Sequence, residues 1–129
     1  MRDNGPVTTH EVQLPENALL VSQTDTGGRI TFANEAFVRV SGFTHEELLG
    51  APHNLVRHPH MPQEAFRDLW VTAKSGRPWE GLVKNRTKNG DFYWVRANVT
   101  PIVESSELKG FISIRTRPDR QDVTAAEAI

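Results

Sequence analysis

Residues 79–96 constrain the fold more than any other part of the chain, because they predict two β-strands joined by a tight turn. An Asn-Gly pair within residues 88–91, between two runs of alternating polarity, is the strongest short-range signal of a β-hairpin. Neighbouring side chains in a strand point to opposite faces of the sheet. The first strand therefore places one set of residues on a single face: Trp79, Gly81, Val83 and Asn85.

This face is unusual for a plain hydrophobic core, because it combines a glycine with an amide. Gly81 removes a side chain at a point where another group must approach closely. The amide of Asn85, when buried, must find hydrogen-bond partners or cost roughly 1–3 kcal/mol of stability. A flat ligand with a polar edge, bound against this face, satisfies both demands.

The composition describes one globular domain and excludes several kinds of site. The chain has 129 residues, of which 37% are hydrophobic and 24% charged, with a net charge of −1 and no cysteine. Balanced charge argues against a nucleic-acid-binding face. The lack of cysteine excludes disulfides, thiol nucleophiles and iron–sulfur clusters, and it fits a reducing compartment. No apolar run reaches membrane-spanning length, and no apolar signal-peptide segment begins the chain, so we expect no direct membrane contact.

The order of predicted elements indicates an α+β fold. Besides the hairpin, strands are predicted at residues 18–23, 29–33 and 110–116. Between the first two and the hairpin, Asn34 and Thr44 each stand at a helix N-cap position, and residues 62–75 repeat apolar side chains at helical spacing. Antiparallel strands at both ends with helices between them predict one sheet that carries the helices on one face.

The same pattern divides the chain into three parts. Residues 1–17 are polar, have no periodicity and are expected to form a flexible N-terminal arm. Residues 18–117 form the predicted domain. Residues 118–129 have no apolar face and are expected to be a linker to segments further along.

Five segments of the chain resemble PAS domains, and in particular the flavin-binding PAS domain of bacterial aerotaxis receptors. They are residues 31–34 (TFAN), 40–43 (VSGF), 52–59 (PHNLVRHP), 83–91 (VKNRTKNGD) and 93–98 (YWVRAN). The resemblance implies about five antiparallel strands in the order 2-1-5-4-3, with short helices packed on one face. It also implies an FAD held between sheet and helices, and a role in reading cellular redox state.

The resemblance extends to light-oxygen-voltage domains, a second flavin-binding branch. In those domains a cysteine forms a photoadduct with the flavin, and His53 stands at that position here. Because the chain has no cysteine, we expect a bound flavin to act through electron transfer. Aerotaxis receptors often carry an aspartate after the His-Pro pair, where this chain has His60, so the ribose and phosphate contacts are expected to differ.

The resemblance assigns roles to several candidate cofactor-binding residues. Asn85 is expected to hydrogen-bond the polar edge of the isoalloxazine, although it can instead satisfy local backbone groups. Arg115 shares the inward parity of its strand, and a cation there favours added negative charge on a reduced flavin. The alternative for Arg115 is a strand-end side chain that reaches out to water.

The remaining candidates surround these two. Arg57 and His58 are expected near the pyrophosphate or adenine, because an arginine fork suits phosphate oxygens. His53 is expected beside the cofactor, and Trp79 and Trp70 are expected to pack against it or to belong to the core. Asn34, in the TFAN segment, completes the predicted cofactor-binding set.

We expect neither a metal site nor catalysis. His53, His58 and His60 have a spacing that matches no structural zinc pattern, and no acidic residue lies near them in sequence. The serines and the paired carboxylates have no setting typical of a nucleophile or a general base, so the chain is not predicted to be an enzyme.

The opposite face of the second hairpin strand is predicted to be a signalling surface. Trp94, Arg96 and Asn98 take the outward parity, and an exposed tryptophan among polar groups on a sheet face is typical of an interface. The alternative is an isolated aromatic side chain covered by the N-terminal arm.

These observations favour a cytoplasmic FAD-binding redox sensor of an aerotaxis- or chemotaxis-type receptor. Its partner is expected to be another domain of the same chain or a second copy, reached through the outer sheet face. Two alternatives stay open: a PAS module that only dimerises or docks without a cofactor, and a haem-based gas sensor that uses a histidine as axial ligand.

Overall fold

The computed structural model describes residues 6–127. This part of the chain folds around one five-stranded antiparallel sheet. The strands are β1 (Leu19–Thr24), β2 (Ile30–Ala33), β3 (Trp79–Arg86), β4 (Phe92–Glu104) and β5 (Glu107–Thr116). Their spatial order is β2-β1-β5-β4-β3, so the predicted α+β class and strand order are confirmed.

The helices between β2 and β3 cover one face of this sheet. They are α1 (Glu35–Ser41), α2 (His45–Leu48), a 3₁₀ helix (His53–Val56) and α3 (Gln63–Lys74). The predicted N-caps are confirmed: Asn34 accepts a hydrogen bond from the backbone N–H of Phe37, and Thr44 forms a reciprocal capping box with Glu47. Satisfying these N–H groups fixes where each helix begins.

The β3–β4 hairpin closes through a five-residue loop, residues 87–91, so its register is one residue away from that of a two-residue Asn-Gly turn. Val83 lies opposite Val95, and Asn85 lies opposite Tyr93. Because opposite residues in an antiparallel pair share a face, these four side chains point together toward the helices. All four are buried.

Two apolar clusters fill the space between sheet and helices. One surrounds Phe37 of α1 and includes Leu20 and Val95, and the other lies under α3 and includes Leu69 and Phe111. The candidate site lies where the two clusters approach each other, because members of both line its walls.

The N-terminal segment is not the flexible arm expected from its polarity. The Val12 N–H donates to the Phe92 carbonyl at 2.7 Å, and the Phe92 N–H donates to the His10 carbonyl at 3.0 Å. Leu14, only 5% exposed, joins the main core. Residues 10–14 are therefore positioned by backbone hydrogen bonds to β4 and by the alternating apolar side chains of Val12 and Leu14. Residues 1–5 lie outside the described residues.

The C-terminal segment is also ordered where a linker was expected. Residues Arg120–Glu127 form a helix, α4, and Val123 is 2% exposed in a cluster with Trp94. Ala126 lies one helical turn further on and packs against the same cluster. A two-residue apolar stripe is too small to stand out in the sequence. Residues 128 and 129 lie outside the described range.

Helix α4 covers part of the predicted signalling surface. Trp94 does face outward but is only 8% exposed, so its expected exposure was wrong. Arg96 pairs with Asp122 of α4 at 3.0 Å, and Asn98 accepts a hydrogen bond from Thr100 at 2.8 Å. The exposed apolar side chains of the outer face lie instead on other strands: Leu19, Phe32 and Ile114.

None of the helices in residues 6–127 is long and apolar enough to cross a membrane.

Candidate functional site

A cavity of about 360 Å³ separates the inner face of β3–β5 from the 3₁₀ helix and α3. Small-molecule sites in proteins range from about 300 to 1,000 Å³, so this cavity has the size of a ligand site. The wall surface is mostly apolar, although both the strands and the helical layer also contribute polar side chains. The strand side contributes Val83, Asn85, Ala97, Val99, Phe111, Ser113 and Arg115.

Arg115 is the principal polar group of the cavity and is 1% exposed. Its Nη1 lies 3.1 Å from both His53 Nε2 and Ser113 Oγ, and its Nη2 donates to Ser22 Oγ at 2.8 Å. Within residues 6–127 its Nε–H has no hydrogen-bond partner. Among the described residues no carboxylate forms an ion pair with it.

The charge of Arg115 is therefore buried without a counter-charge. Burial lowers the pKa of Arg115 to about 10, so the guanidinium stays protonated at neutral pH. An unpaired buried charge is costly unless hydrogen bonds or an opposite charge compensate it. The surrounding hydroxyls and imidazole give partial compensation, and a ligand with electronegative atoms can supply the rest.

His53 faces Arg115 as a neutral acceptor. Burial, and then the nearby Arg115 charge, lower the pKa of His53 to about 3, so its ring is uncharged at neutral pH. Because Nε2 lies opposite a guanidinium N–H, Nε2 must accept and the ring proton must sit on Nδ1. The 3₁₀ helix places His53 beside Arg115 of β5, although the two residues are 62 positions apart in sequence.

Asn85 is a further polar residue on the strand side of the cavity. Its backbone pairs with Tyr93 on one side and with Arg57 on the other, so the backbone is fixed and only the side-chain torsions are free. Its amide lines the cavity, and the residue is 4% exposed. Tyr93 is completely buried beside it, and the Tyr93 hydroxyl has no hydrogen-bond partner.

Aromatic and cationic side chains of the helical layer form the rim. Trp70 packs edge-to-face on Phe111, with ring centroids 5.2 Å apart. Arg57 places its guanidinium carbon 4.1 Å from the ring centroid of Phe66. A second cavity of about 180 Å³ shares His53, Asn54 and Trp70 with the first and adds Lys74, Gly27 and Gly28. The two cavities therefore share part of their walls.

Three of the predicted cofactor-binding residues do not line this cavity. Asn34 caps α1 and also binds the Val21 N–H and the Leu19 carbonyl, so its amide joins β1 to α1. His58 is buried on the other side of β3, with its ring against His60 and Phe92. Trp79 is partly buried and packs against both apolar clusters, and its Nε1–H donates to Asp68 of α3 at 2.9 Å.

The position of Trp79 also corrects the interpretation of Gly81. A Cβ atom at residue 81 would lie 2.7 Å from the Trp79 indole, so the space above this glycine is filled by the protein's own ring. The glycine is required by an intramolecular contact, and the ligand space lies beside it.

His53, Arg57, Trp70, Asn85 and Arg115 are the predicted residues that the fold does bring to the cavity. Sequence reasoning missed Ser22 and Tyr93. Ser22 lies opposite Ser113 in the β1–β5 register, and this pair of small hydroxyls at inward positions of apolar strands is the signal that indicates a buried polar partner such as Arg115. Within residues 6–127 no group of three or more potential metal ligands comes together.

Solved structures share this fold. The PAS domain of a protein from Colwellia psychrerythraea aligns with a TM-score of 0.71 at 21% identity, covering 78% of this chain and 86% of that one. A light-oxygen-voltage domain studied with a flavin analogue aligns with a TM-score of 0.74 at 14% identity, covering 88% and 85%. At these identities the likeness shows the fold alone.

Sequence relatives come from larger signalling proteins. The aerotaxis receptor of Escherichia coli strain K12 is 51% identical over 123 residues, which are 95% of this chain and 24% of that protein. The nitrogen fixation regulatory protein of Klebsiella pneumoniae is 29% identical over 99 residues, 76% of this chain and 20% of that protein. The chain thus spans a quarter or less of the length of these relatives.

The sequence profile described as PAS fold matches residues 30–115, which include β2 to β5 and the helices between them. This span contains the polar wall formed by His53, Asn85 and Arg115. By this match and the observed topology, the chain belongs to the PAS fold family.

Proposed function

We propose that this domain binds FAD in the cavity and reports its redox state within an aerotaxis- or chemotaxis-type receptor. The observation that carries the proposal is the buried charge of Arg115, which no carboxylate of the described residues pairs with, at the wall of a cavity whose surface is mostly apolar. A planar ring with carbonyl oxygens and electronegative nitrogens along one edge fits such a wall. The similarity to an aerotaxis receptor supports the same assignment.

The residues present fit the polar edge of a flavin. Arg115 keeps an N–H without a partner, and the Asn85 amide faces the cavity. Both can donate to carbonyl oxygens or ring nitrogens. The apolar walls, with Val83, Val99 and Leu69, suit the faces of a flat ring.

A bound flavin would supply reversible electron transfer. Arg115 interacts more favourably with a ring that carries additional negative charge, because an opposite charge nearby stabilises the charged form. His53 keeps Arg115 in place as a neutral acceptor and adds no charge of its own. The site therefore distinguishes oxidised from reduced ligand by electrostatic energy, which is the difference that any signal requires.

The rim supports a dinucleotide over a mononucleotide. The second cavity shares Trp70 with the first and is also lined by Lys74. Arg57 and Arg67 line the first cavity beside α3. Guanidinium and ammonium groups are the usual partners of phosphate oxygens, so these three cations can accompany a pyrophosphate.

Strand β4 gives the signal a route to the outer face. Tyr93 and Ala97 point to the inner side, and Trp94 and Arg96 between them contact α4. A change in hydrogen bonding at the inner side can therefore alter how α4 is held. The exposed Leu19, Phe32 and Ile114 are the candidate contact for a partner domain or a second copy.

The absorption spectrum of the purified protein tests the proposal. We expect the two-banded spectrum of an oxidised flavin, bleached by dithionite, and FAD as the nucleotide released by heat. A colourless protein that does not take up added FAD would support the docking module instead. A Soret band would support haem, but His53 is the one histidine that lines the cavity, and its Nε2 is already engaged by Arg115.

A further inference from the structure

Ser22 contacts both Arg115 and His53, and the proposed function leaves the contact with His53 unexplained. Ser22 is 0% exposed, and its Oγ accepts from Arg115 Nη2 at 2.8 Å while lying 3.4 Å from His53 Nε2. Ser113 lies opposite Ser22 in the β1–β5 register, and its Oγ also accepts from Arg115, at 3.1 Å. Within residues 6–127, however, no hydrogen bond joins Ser113 to His53. The two serines therefore share one partner and differ in the other.

The direction of the Ser22–His53 contact follows from the neighbouring bonds. A guanidinium has only donors, so its approach makes His53 Nε2 an acceptor that carries no proton. The contact with Ser22 can then form only if the Ser22 hydroxyl donates. That O–H group is free to do so, because the Ser22 oxygen uses a lone pair toward Arg115.

Two donors thus face the single lone pair of His53 Nε2. The Arg115 N–H group is the nearer donor, with its nitrogen at 3.1 Å. The Ser22 oxygen at 3.4 Å is farther away than the about 2.5–3.0 Å that is usual for a hydroxyl donor. Arg115 therefore holds the lone pair in this structure, and Ser22 stands beside it as a second donor.

A movement of Arg115 toward a ligand would free that lone pair. The guanidinium is planar and rigid, so turning its unpartnered Nε–H group toward a ligand in the cavity also moves Nη1 away from His53. A buried acceptor that loses its donor costs free energy. The Ser22 hydroxyl is already close enough to prevent this loss by a small shift.

We propose that Ser22 is a positioning residue whose hydroxyl replaces Arg115 as the donor to His53 Nε2 when a ligand draws the guanidinium toward itself. The imidazole then stays neutral, with its proton on Nδ1, in both positions of the arginine. Arg115 can accordingly direct its charge at the ligand without leaving a buried nitrogen unsatisfied. This inference rests on the proposed function, because the ligand that draws Arg115 is taken to be a flavin that gains negative charge on reduction.

The first test removes the arginine and needs no ligand. Nitrogen NMR of the His53 ring reports which nitrogen carries the proton and whether the other accepts a hydrogen bond. In Arg115→Met we expect Nδ1 to stay protonated and Nε2 to stay hydrogen-bonded, now to Ser22. Combining Arg115→Met with Ser22→Ala should abolish the signal of the bonded Nε2. Combining it with Ser113→Ala is the matched control and should preserve that signal, because Ser113 does not bond His53 among the described residues.

The second test uses the protein loaded with FAD, before and after reduction by dithionite. In the wild-type protein we expect His53 Nε2 to be hydrogen-bonded in both redox states. In Ser22→Ala the bonded signal should be present with oxidised FAD and lost with reduced FAD, because Arg115 turns to the ring and no donor replaces it. Ser113→Ala also removes one acceptor of Arg115, so it is the matched control and should behave like the wild-type protein.

Three results would overturn this inference by itself. They are an unbonded Nε2 in Arg115→Met, a bonded Nε2 in Arg115→Met with Ser22→Ala, and a bonded Nε2 in Ser22→Ala with reduced FAD. If Arg115→Met does not fold, the second test decides. A wild-type protein that takes up no FAD would overturn the proposed function, and the ligand-free comparison would still decide whether Ser22 replaces Arg115.

Discussion

Arg115 and His53 meet at the wall of the cavity, with Nη1 of the arginine 3.1 Å from Nε2 of the histidine. One is a permanent cation and the other is neutral at physiological pH, so the pair carries a single positive charge that has no carboxylate partner. The Arg115 guanidinium also donates hydrogen bonds to Ser22 and Ser113, and these fix its position in the wall. The arrangement places one buried positive charge at the strand side of the cavity.

Replacing Arg115 with glutamine should therefore change the ligand's redox equilibrium more than the fold. We expect bound FAD to become harder to reduce by about 30 mV or more, a tenfold shift for a two-electron couple. Spectroelectrochemical titration measures it, with Arg115→Lys expected to retain most of the charge effect. Arg39→Gln is the matched control, because Arg39 is exposed and pairs only with Glu35 on α1. An Arg115→Gln potential equal to that of the control would contradict the electrostatic role.

The stability of the protein should fall in mild acid. Burial lowers the pKa of both His53 and His58 from the ordinary value of 6.5, to about 3 and about 4. Unfolded histidines bind protons below about pH 6.5 while the folded ones do not, so the stabilisation is complete above that pH. As the pH falls from 6.5 toward 4, each histidine should lower the free energy of unfolding by at most about 1.4 kcal/mol per pH unit.

Urea unfolding between pH 7 and pH 4.5 measures this slope. His58→Gln should reduce it, because one of the two titrating groups is removed. His10→Gln is the matched control for the same substitution at an exposed position. A protein whose unfolding free energy is flat across this range would show that the two rings are already protonated in the fold.

Gly81→Ala should destabilise the domain through Trp79. The added methyl group would lie 2.7 Å from the indole, and overpacking of this kind costs about 1–3 kcal/mol. Combining it with Trp79→Leu should recover part of the loss, which urea unfolding can measure. Gly27→Ala is the control, because its nearest contact would be an exposed Asp25 oxygen at 3.4 Å. Equal stability of the Gly81→Ala and Gly27→Ala proteins would disprove the clash.

Val123→Asp should release α4 from the outer face. Val123 is buried beside Trp94, and an aspartate in its place would have to lose its hydration or leave the sheet. Hydrogen exchange should show loss of protection at residues 120–127 and faster exchange at residues 92–96. Ala125→Asp, on the exposed side of the same helix, should keep protection. Unchanged exchange in the Val123→Asp protein would mean that this contact does not hold the helix.

The parts of the fold predicted from sequence are those set by local chemistry. The alternation along β3 is sufficient to place Val83 and Asn85 on one face, and the Asn-Gly pair marks the hairpin, although the pairing of Asn85 with Tyr93 depends on a loop of five residues. Asn34 and Thr44 mark helix starts because their side chains satisfy N–H groups a few residues away. These relationships span three or four residues, or one hairpin.

Features that depend on distant partners were not predictable in the same way. The contact between Arg115 and His53 joins residues 62 positions apart, and only the family resemblance suggested that both lie near a ligand. The order in α4 depends on Val123 meeting Trp94, and neither residue indicates the other in sequence. The ring of Trp79 over Gly81 depends on a side-chain rotamer that alternation does not determine.

The alternation of β4 has a consequence for engineering. Positions 93, 95 and 97 belong to the interior, while positions 94 and 96 hold the terminal helix. Inserting one residue before position 93 would turn the inward side chains outward and the outward side chains inward, so both the core packing and the contact with α4 would be lost. Substitutions restricted to positions 94 and 96 should instead alter the contact with α4 while leaving the inward side chains in place.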